Sequence, residues 1–190
     1  MADIRGTYEL GPGDGRVLIK TGREGLAARA GHDLTLEITR WSARVTVPDT
    51  GDLAMAAVTA ELDLGSLTVR EGTGGAKPLS DRDRRDIQAQ ARKILGDPAK
   101  AAFASEQVIP PAGAASDGAI EGTLTMHGST QPLRLQVTSA APGRFRGSAT
   151  VRQTDFGITP YSGFFGTLKL KNEITVEFEV NVKDFQNGSV

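Results

Sequence analysis

Residues 120 to 138 alternate between apolar and polar side chains almost without exception. Ile120, Gly122, Leu124 and Met126 are interleaved with Glu121, Thr123, Thr125 and His127, and Leu133, Leu135 and Val137 with Arg134, Gln136 and Thr138. A period of two sends alternate side chains to opposite faces of an extended chain. The small polar run Gly128 to Gln131, closed by Pro132, has the chemistry of a reversal. Two antiparallel strands are predicted here, each with one oily and one wet face. Oily faces must be buried, so the chain has to stack sheets or wrap one around an enclosed interior.

The same period recurs from end to end. Val17 and Ile19 follow the turn-rich run Gly11 to Gly15. Leu34, Leu36 and Ile38 share one phase and Ala43, Val45 and Val47 the opposite one, which predicts a turn or bulge near Arg40 to Ser42. Pro48 to Gly51 makes a turn before Val58, Ala60, Leu62 and Leu64. Phe145, Gly147, Ala149 and Val151 follow Pro142-Gly143. Leu168 and Leu170, then Ile174, Val176, Phe178, Val180 and Val182, form the last alternating stretch.

One segment differs. Ile87, Ala91, Ile94 and Leu95 fall at helical spacing, with Ser80 as an N-cap, acids in the first turn, and Gly96 and Pro98 as a stop. A helix over 81–95 is predicted, and its narrow apolar stripe suits a surface or the cover of an opening. Glu71 to Pro78 reads as a mobile loop and Pro110 to Gly118 as a long hairpin connection. Neither a repeat nor a domain boundary is evident, so residues 1–190 are taken as one domain. Many strands, frequent turns and a single helix predict an all-β antiparallel barrel or sandwich. A barrel also removes the exposed edges of its longest strands.

The 22 basic and 23 acidic side chains give no global attraction to nucleic acid or to an anionic membrane. Without cysteine there are no disulfides, thiolate nucleophiles or cysteine-bound metals. Two histidines, His32 and His127, exclude a three-histidine zinc site, and no acidic calcium loop is present. No metal or cofactor is therefore expected. Ser129 lies in no nucleophile elbow, Asp155-Phe-Gly157 lacks the other kinase elements, and Lys77 is followed by Pro78 where a phosphate loop needs Ser or Thr. His127 is expected on the polar face or at the turn, with a structural role. Glu61, Asp63, Glu121, Glu173, Glu177 and Glu179 fall on outward phases, leaving loop acids such as Asp33 and Asp155 as the only ones free to point inward. A non-enzyme is expected. No apolar run is long enough for a signal peptide or a membrane span, so a cytoplasmic protein without stable membrane insertion is expected.

Three pieces in order carry a family likeness. They are the helix followed by Pro98 and Phe103-Ala-Ser105, then Gly122-Thr-Leu-Thr-Met-His-Gly-Ser-Thr-Gln-Pro132, then Arg152-Gln-Thr-Asp-Phe-Gly157 ahead of a long final strand. Together with the N-terminal strands, over 6–183, they resemble the YceI-like polyisoprenoid-binding family. The resemblance implies a lipocalin-like antiparallel barrel that holds a long isoprenoid chain inside, and a capacity to form a homodimer. Members are often exported, and Ala30 to Leu34 only approximates the usual segment.

The inward phase supplies Leu36, Ile38, Leu62, Phe103, Leu124, Met126, Leu135, Phe145, Val151, Val176 and Phe178. By themselves these can pack into a solid core or line a dry tunnel. Gly122, Gly147 and Ala149 favour a tunnel, because small inward residues leave room. With the resemblance a tunnel is expected, and the inward set together with Gly147 are candidate ligand contacts. Arg29, His32 and Arg82, with Lys77 and Arg85, lie near the loop and helix and are candidates for a head group; a pyrophosphate would favour the guanidinium fork. The expected function is non-catalytic binding, sequestration or transport of an isoprenoid or similar lipid. Two alternatives stay open: a cofactor-free isomerase or cyclase with an inward carboxylate or Tyr161 deep in a pocket, and a filled barrel acting through its surface.

Overall fold

The computed structural model describes residues 4–112 and 117–183. Its strands are β1 (Gly6–Leu10), β2 (Gly15–Thr21), β3 (Arg23–Glu24), β4 (Asp33–Ile38), β5 (Trp41–Val47), β6 (Ala57–Asp63) and β7 (Leu67–Thr73). Helix α1 (Asp81–Leu95) follows, then β8 (Lys100–Ile109), β9 (Asp117–Met126), β10 (Ser129–Ala141), β11 (Arg144–Arg152), β12 (Ser162–Gly163), β13 (Leu168–Leu170) and β14 (Glu173–Asn181). Eleven of these segments form one antiparallel sheet in the order β1-β5-β6-β8-β9-β10-β11-β14-β2-β4-β7. The remaining three form a small sheet, β12-β13-β3.

The linear order conceals a ring. Strand β1 runs on into β2, β4 into β5, and β6 into β7, each through a kink and without reversing. The pairing is continuous across the kinks: Gly6↔Val47 to Leu10↔Ala43 in β1–β5 leads on to Val17↔Ile38 and Thr21↔Leu34 in β2–β4. Likewise Trp41↔Leu62 in β5–β6 leads on to Ile38↔Leu67 in β4–β7. Six segments are thus three long bent strands. With β8, β9, β10, β11 and β14 they close an eight-membered antiparallel barrel, since β6 pairs with β8 and β2 with β14. The run Gly11 to Gly15 is therefore a kink within a strand. So is the phase slip near Arg40 to Ser42, where the bend turns the odd-numbered side chains of β5 inward.

Ser66 holds the kink. It is 4% exposed, its Oγ accepts the backbone N–H groups of Thr39 (3.1 Å) and Arg40 (3.0 Å), and its hydroxyl donates to the carbonyl of Asp63 (2.7 Å). Backbone donors displaced from the ladder by the bend are satisfied in this way, as buried polar groups require.

The bend leaves the outer edge of β7 without a strand neighbour, and α1 lies along it. Arg84 donates to the carbonyls of Val69 and Arg70 (both 3.1 Å), Gln88 accepts from Val69 N–H (3.2 Å), and Arg92 donates to the carbonyl of Gly65 (3.2 Å). Side chains of the helix thus cover a strand edge, while Ile87, Ala91, Ile94 and Leu95 pack on the core. The helix begins in a capping box: Ser80 Oγ accepts from Asp83 N–H and the Asp83 carboxylate accepts from Ser80 N–H. Hydrogen bonds from the Ser80 hydroxyl and backbone N–H hold the Asp83 carboxyl below its ordinary value.

Two details differ from the pattern-based expectation. The 120–138 reversal is the two-residue turn His127-Gly128, with φ of 52° and 76° as a type I′ hairpin requires, so Ser129 to Pro132 belong to β10. Pro132 is tolerated there because β10 pairs at that level only with β9; β11 joins from Gln136 onward. Glu71 to Thr73 belong to β7, which shortens the predicted loop. Of the predicted connection 110–118, residues 113–116 lie outside the described residues.

Candidate functional site

Inward side chains of the bent and straight strands enclose a cavity of about 980 Å³. Folded interiors are ordinarily close-packed, with few voids larger than a water molecule. A hollow of this size is a built feature of the fold. At one end, here called upper, it is bounded by Gly31, His32, Leu79, Tyr161, Leu168 and Leu170; at the other by Leu53, Ala56, Pro110, Pro111 and Phe145. Between them the wall is aliphatic and aromatic.

Of the contacts expected from the sequence, Leu36, Ile38, Leu62, Phe103, Leu124, Met126, Leu135, Phe145, Val151, Val176 and Phe178 border the cavity. Gly147 does not. It is in the inward phase, but a Cβ there would collide with the ring of its cross-strand partner Phe178, which already covers it. Gly122 and Ala149 do not border the cavity either. Gly122 is small because the β8 bulge between Ser105 and Gln107 brings the Ala104 carbonyl against it. The room comes instead from Ala43 and Ala60, cross-strand neighbours on β5 and β6 that both face inward. Ala60 shares the phase of Leu62, already inward by alternation, while the phase of Ala43 and Val45 after the kink reads as inward only once the bend is recognised.

Gly147→Ala is therefore expected to push the Phe178 ring into the cavity. The melting temperature should fall, at a cost of about 1–3 kcal/mol as for other overpacked cores, and the longest chain retained should shorten. An unchanged melt and unchanged ligand size would show that the ring has another place to go.

The candidate head-group residues divide. His32 borders the cavity, and its Nε2 lies 2.7 Å from the Lys77 carbonyl oxygen, tying the 74–79 loop to the barrel. Lys77 also borders it. Arg29 and Arg82 do not, and both are exposed; Arg82 lies 3.8 Å from Asp86 along the helix. Arg85 is exposed on the outer side of α1. A cation absent from the expected set, Arg23, does border the cavity, donating to the carbonyls of Gly31 (2.9 Å) and Thr73 (2.8 Å). It lies against Gly74, whose φ of 72° and lack of Cβ let the guanidinium fit.

The six strand carboxylates lie outside the cavity. Glu177 pairs with Lys20 (2.9 Å), Glu179 with Arg16 (3.0 Å) and Arg146 (3.3 Å), Asp63 with Arg40 (2.7 Å), and Glu121 with Arg134. The guanidiniums hold the carboxyls of Glu179 and Asp63 below their ordinary values. Polar and ionisable side chains bordering the cavity, including Thr21, Arg23, His32, Asp83, Asp86, Gln90 and Tyr161, cluster toward its upper end and the helix. His127 sits at the hairpin turn, its Nδ1 3.1 Å from the Phe156 carbonyl oxygen, and Gln131 donates to the Asp155 carbonyl (3.0 Å). The central hairpin motif and the Arg152 to Gly157 motif thus brace one another.

The fold is thus an antiparallel, lipocalin-like barrel wrapped around an apolar cavity. The YceI-like domain model matches residues 19–182, so this chain belongs to the YceI-like family. Among solved structures it is similar to BcnA of Burkholderia cenocepacia, at 17% identity and a TM-score of 0.62, covering 87% of this chain and 94% of that one. It is also similar to a polyisoprenoid-binding domain from Saccharophagus degradans implicated in plant cell wall breakdown, at 10% identity and a TM-score of 0.54, covering 93% of this chain and 99% of that one. At these identities the likeness is one of fold. No match is found among curated proteins.

Proposed function

We propose that this chain, acting as one domain, binds a long isoprenoid or similar amphiphilic lipid in the barrel interior and sequesters or carries it without covalent chemistry. One observation carries the proposal: a cavity of about 980 Å³ whose wall is apolar over most of its length. That volume is at the top of the roughly 300–1,000 Å³ range of small-molecule sites, and its lining residues come from both ends of the barrel. Each methylene moved from water into such a wall is worth roughly 0.8 kcal/mol, before the cost of ordering chain and protein. Several isoprene units therefore supply useful affinity with few hydrogen bonds.

Leu36, Phe103, Leu124, Val176 and Phe178 would contact the tail, while Arg23, His32 and Lys77 would meet a polar end at the upper rim. The polyisoprenoid-binding description of the Saccharophagus degradans domain supports the ligand class.

Native mass spectrometry and organic extraction of freshly purified protein test the proposal. A prenyl lipid should be retained, or taken up on addition of farnesol or longer prenyl alcohols. A hydrophilic ligand, or no uptake across a series of prenyl alcohols and phosphates, would overturn it.

A further inference from the structure

Among the described residues, the two most exposed large apolar side chains lie on the two joined segments that close the upper end. Leu26 is 97% and Phe165 109% exposed. Leu26 lies in the connection after β3, and Phe165 in the short turn before β13. The two connections are joined where Ala27 N–H donates to the Thr167 carbonyl (2.9 Å), and Gly25 packs against that same carbonyl. Isolated exposed apolar residues are ordinary on protein surfaces; two fully projecting ones on joined connections are informative.

Phe165 adds a second observation. Its backbone is left-handed, at φ 55° and ψ 35°, a region that favours glycine and is unusual for a bulky side chain. The turn thus holds an aromatic ring outward in a conformation that the residue does not prefer, and strained backbone of this kind clusters at functional surfaces. Exposed Arg29 and Lys169 flank the pair, with exposed Glu24 opposite Lys169 in the small sheet and the half-exposed Asp33 carboxylate held on the Arg23 backbone N–H (2.8 Å). The inner side of the same segments carries Gly31, Leu168 and Leu170, which bound the cavity.

We infer that this tip docks on the surface of a lipid bilayer, Leu26 and Phe165 entering the interface and the flanking cations lying at head-group level. A bilayer fits better than a protein groove. The two projections come from separate connections, follow no helical or strand periodicity, and ring the end of an apolar cavity with cations beside them. Shallow insertion of a few apolar side chains backed by basic ones gives reversible membrane binding. The inference rests on the lipid-binding reading for its purpose, since a tail could then pass from the bilayer to the cavity with little exposure to water; its test does not.

Co-sedimentation with vesicles of phosphatidylcholine, and of phosphatidylcholine mixed with phosphatidylglycerol, supplies the measurement. The protein should partition onto both, more strongly onto the anionic mixture. The double variant Leu26→Ser with Phe165→Ser should lose partition on the order of tenfold or more, with an unaltered melting temperature because neither side chain packs on anything. Failure of the native protein to sediment with either vesicle, or equal partition of the double variant, would overturn the inference. Uptake of a prenyl alcohol by the same variant in vesicle-free solution separates the two ideas. Uptake retained with partition lost supports docking at a site distinct from the cavity; partition by a native protein that takes up no prenyl alcohol leaves docking standing while the cargo reading fails.

Discussion

Ala60→Phe should eliminate uptake of long prenyl lipids while leaving the barrel folded. Ala60 faces Ala43 across the β5–β6 ladder, and both border the cavity. A phenylalanine there projects into space that is already vacant, so it need not displace neighbours as the ring would at Gly147. Adding apolar surface to an existing hollow is worth roughly 1–2 kcal/mol of burial, in contrast to the cost of overpacking a filled core. The melting temperature should hold or rise. Uptake measured by native mass spectrometry or by fluorescence displacement should drop by at least about tenfold for long chains, since loss of only two buried methylenes amounts to about that factor. Full uptake by a folded variant would mean that the ligand does not occupy this part of the barrel.

Ser66→Ala carries the largest expected loss of stability. One hydroxyl satisfies two backbone donors, Thr39 and Arg40, at the bend shared by the second and third long strands. Its removal leaves both without that partner, at about 1–3 kcal/mol for each donor that water cannot reach. A total near 3 kcal/mol corresponds to a melting-temperature fall of about 6–12 °C for a domain of this size. Urea unfolding of the variant should show a lower midpoint with little change in slope. Loss of less than about 0.5 kcal/mol would show that water replaces the hydroxyl and that the kink is held elsewhere. Because the bend positions Ile38, Trp41 and Leu62 on the cavity wall, ligand affinity should fall with stability.

Much of the wall was legible from side-chain alternation. Leu124, Met126, Val176 and Phe178 stand where a period of two directs them. The boundaries of α1 follow from Ser80 at one end and Gly96 at the other, because capping and a positive-φ glycine stop are local chemistry. The space was less legible. Gly122 and Gly147 read as vacancies, yet one accommodates the backbone of a bulge and the other lies beneath Phe178. Of the residues that do leave room, Ala60 shares the inward phase of Leu62, whereas Ala43 lies beyond a phase slip, and a phase slip in a sequence does not say which way the chain bends. Arg23 was overlooked because its setting beside Gly74 and Thr73 depends on contacts between separate loops.

Alternation and capping act between residues a few positions apart, so the amino-acid order alone determined that this chain would be extended, two-faced and interrupted by one helix. Whether the oily faces meet or stand apart depends on which distant strands are neighbours. Pairing of Val17 with Phe178, from opposite ends of the chain, completes the ring. The circumference of eight strands, bent in concert at Ser66 and covered along β7 by α1, then exceeds what the inward side chains can fill. The hollow is a property of the closed ring, and only the tertiary structure decided it.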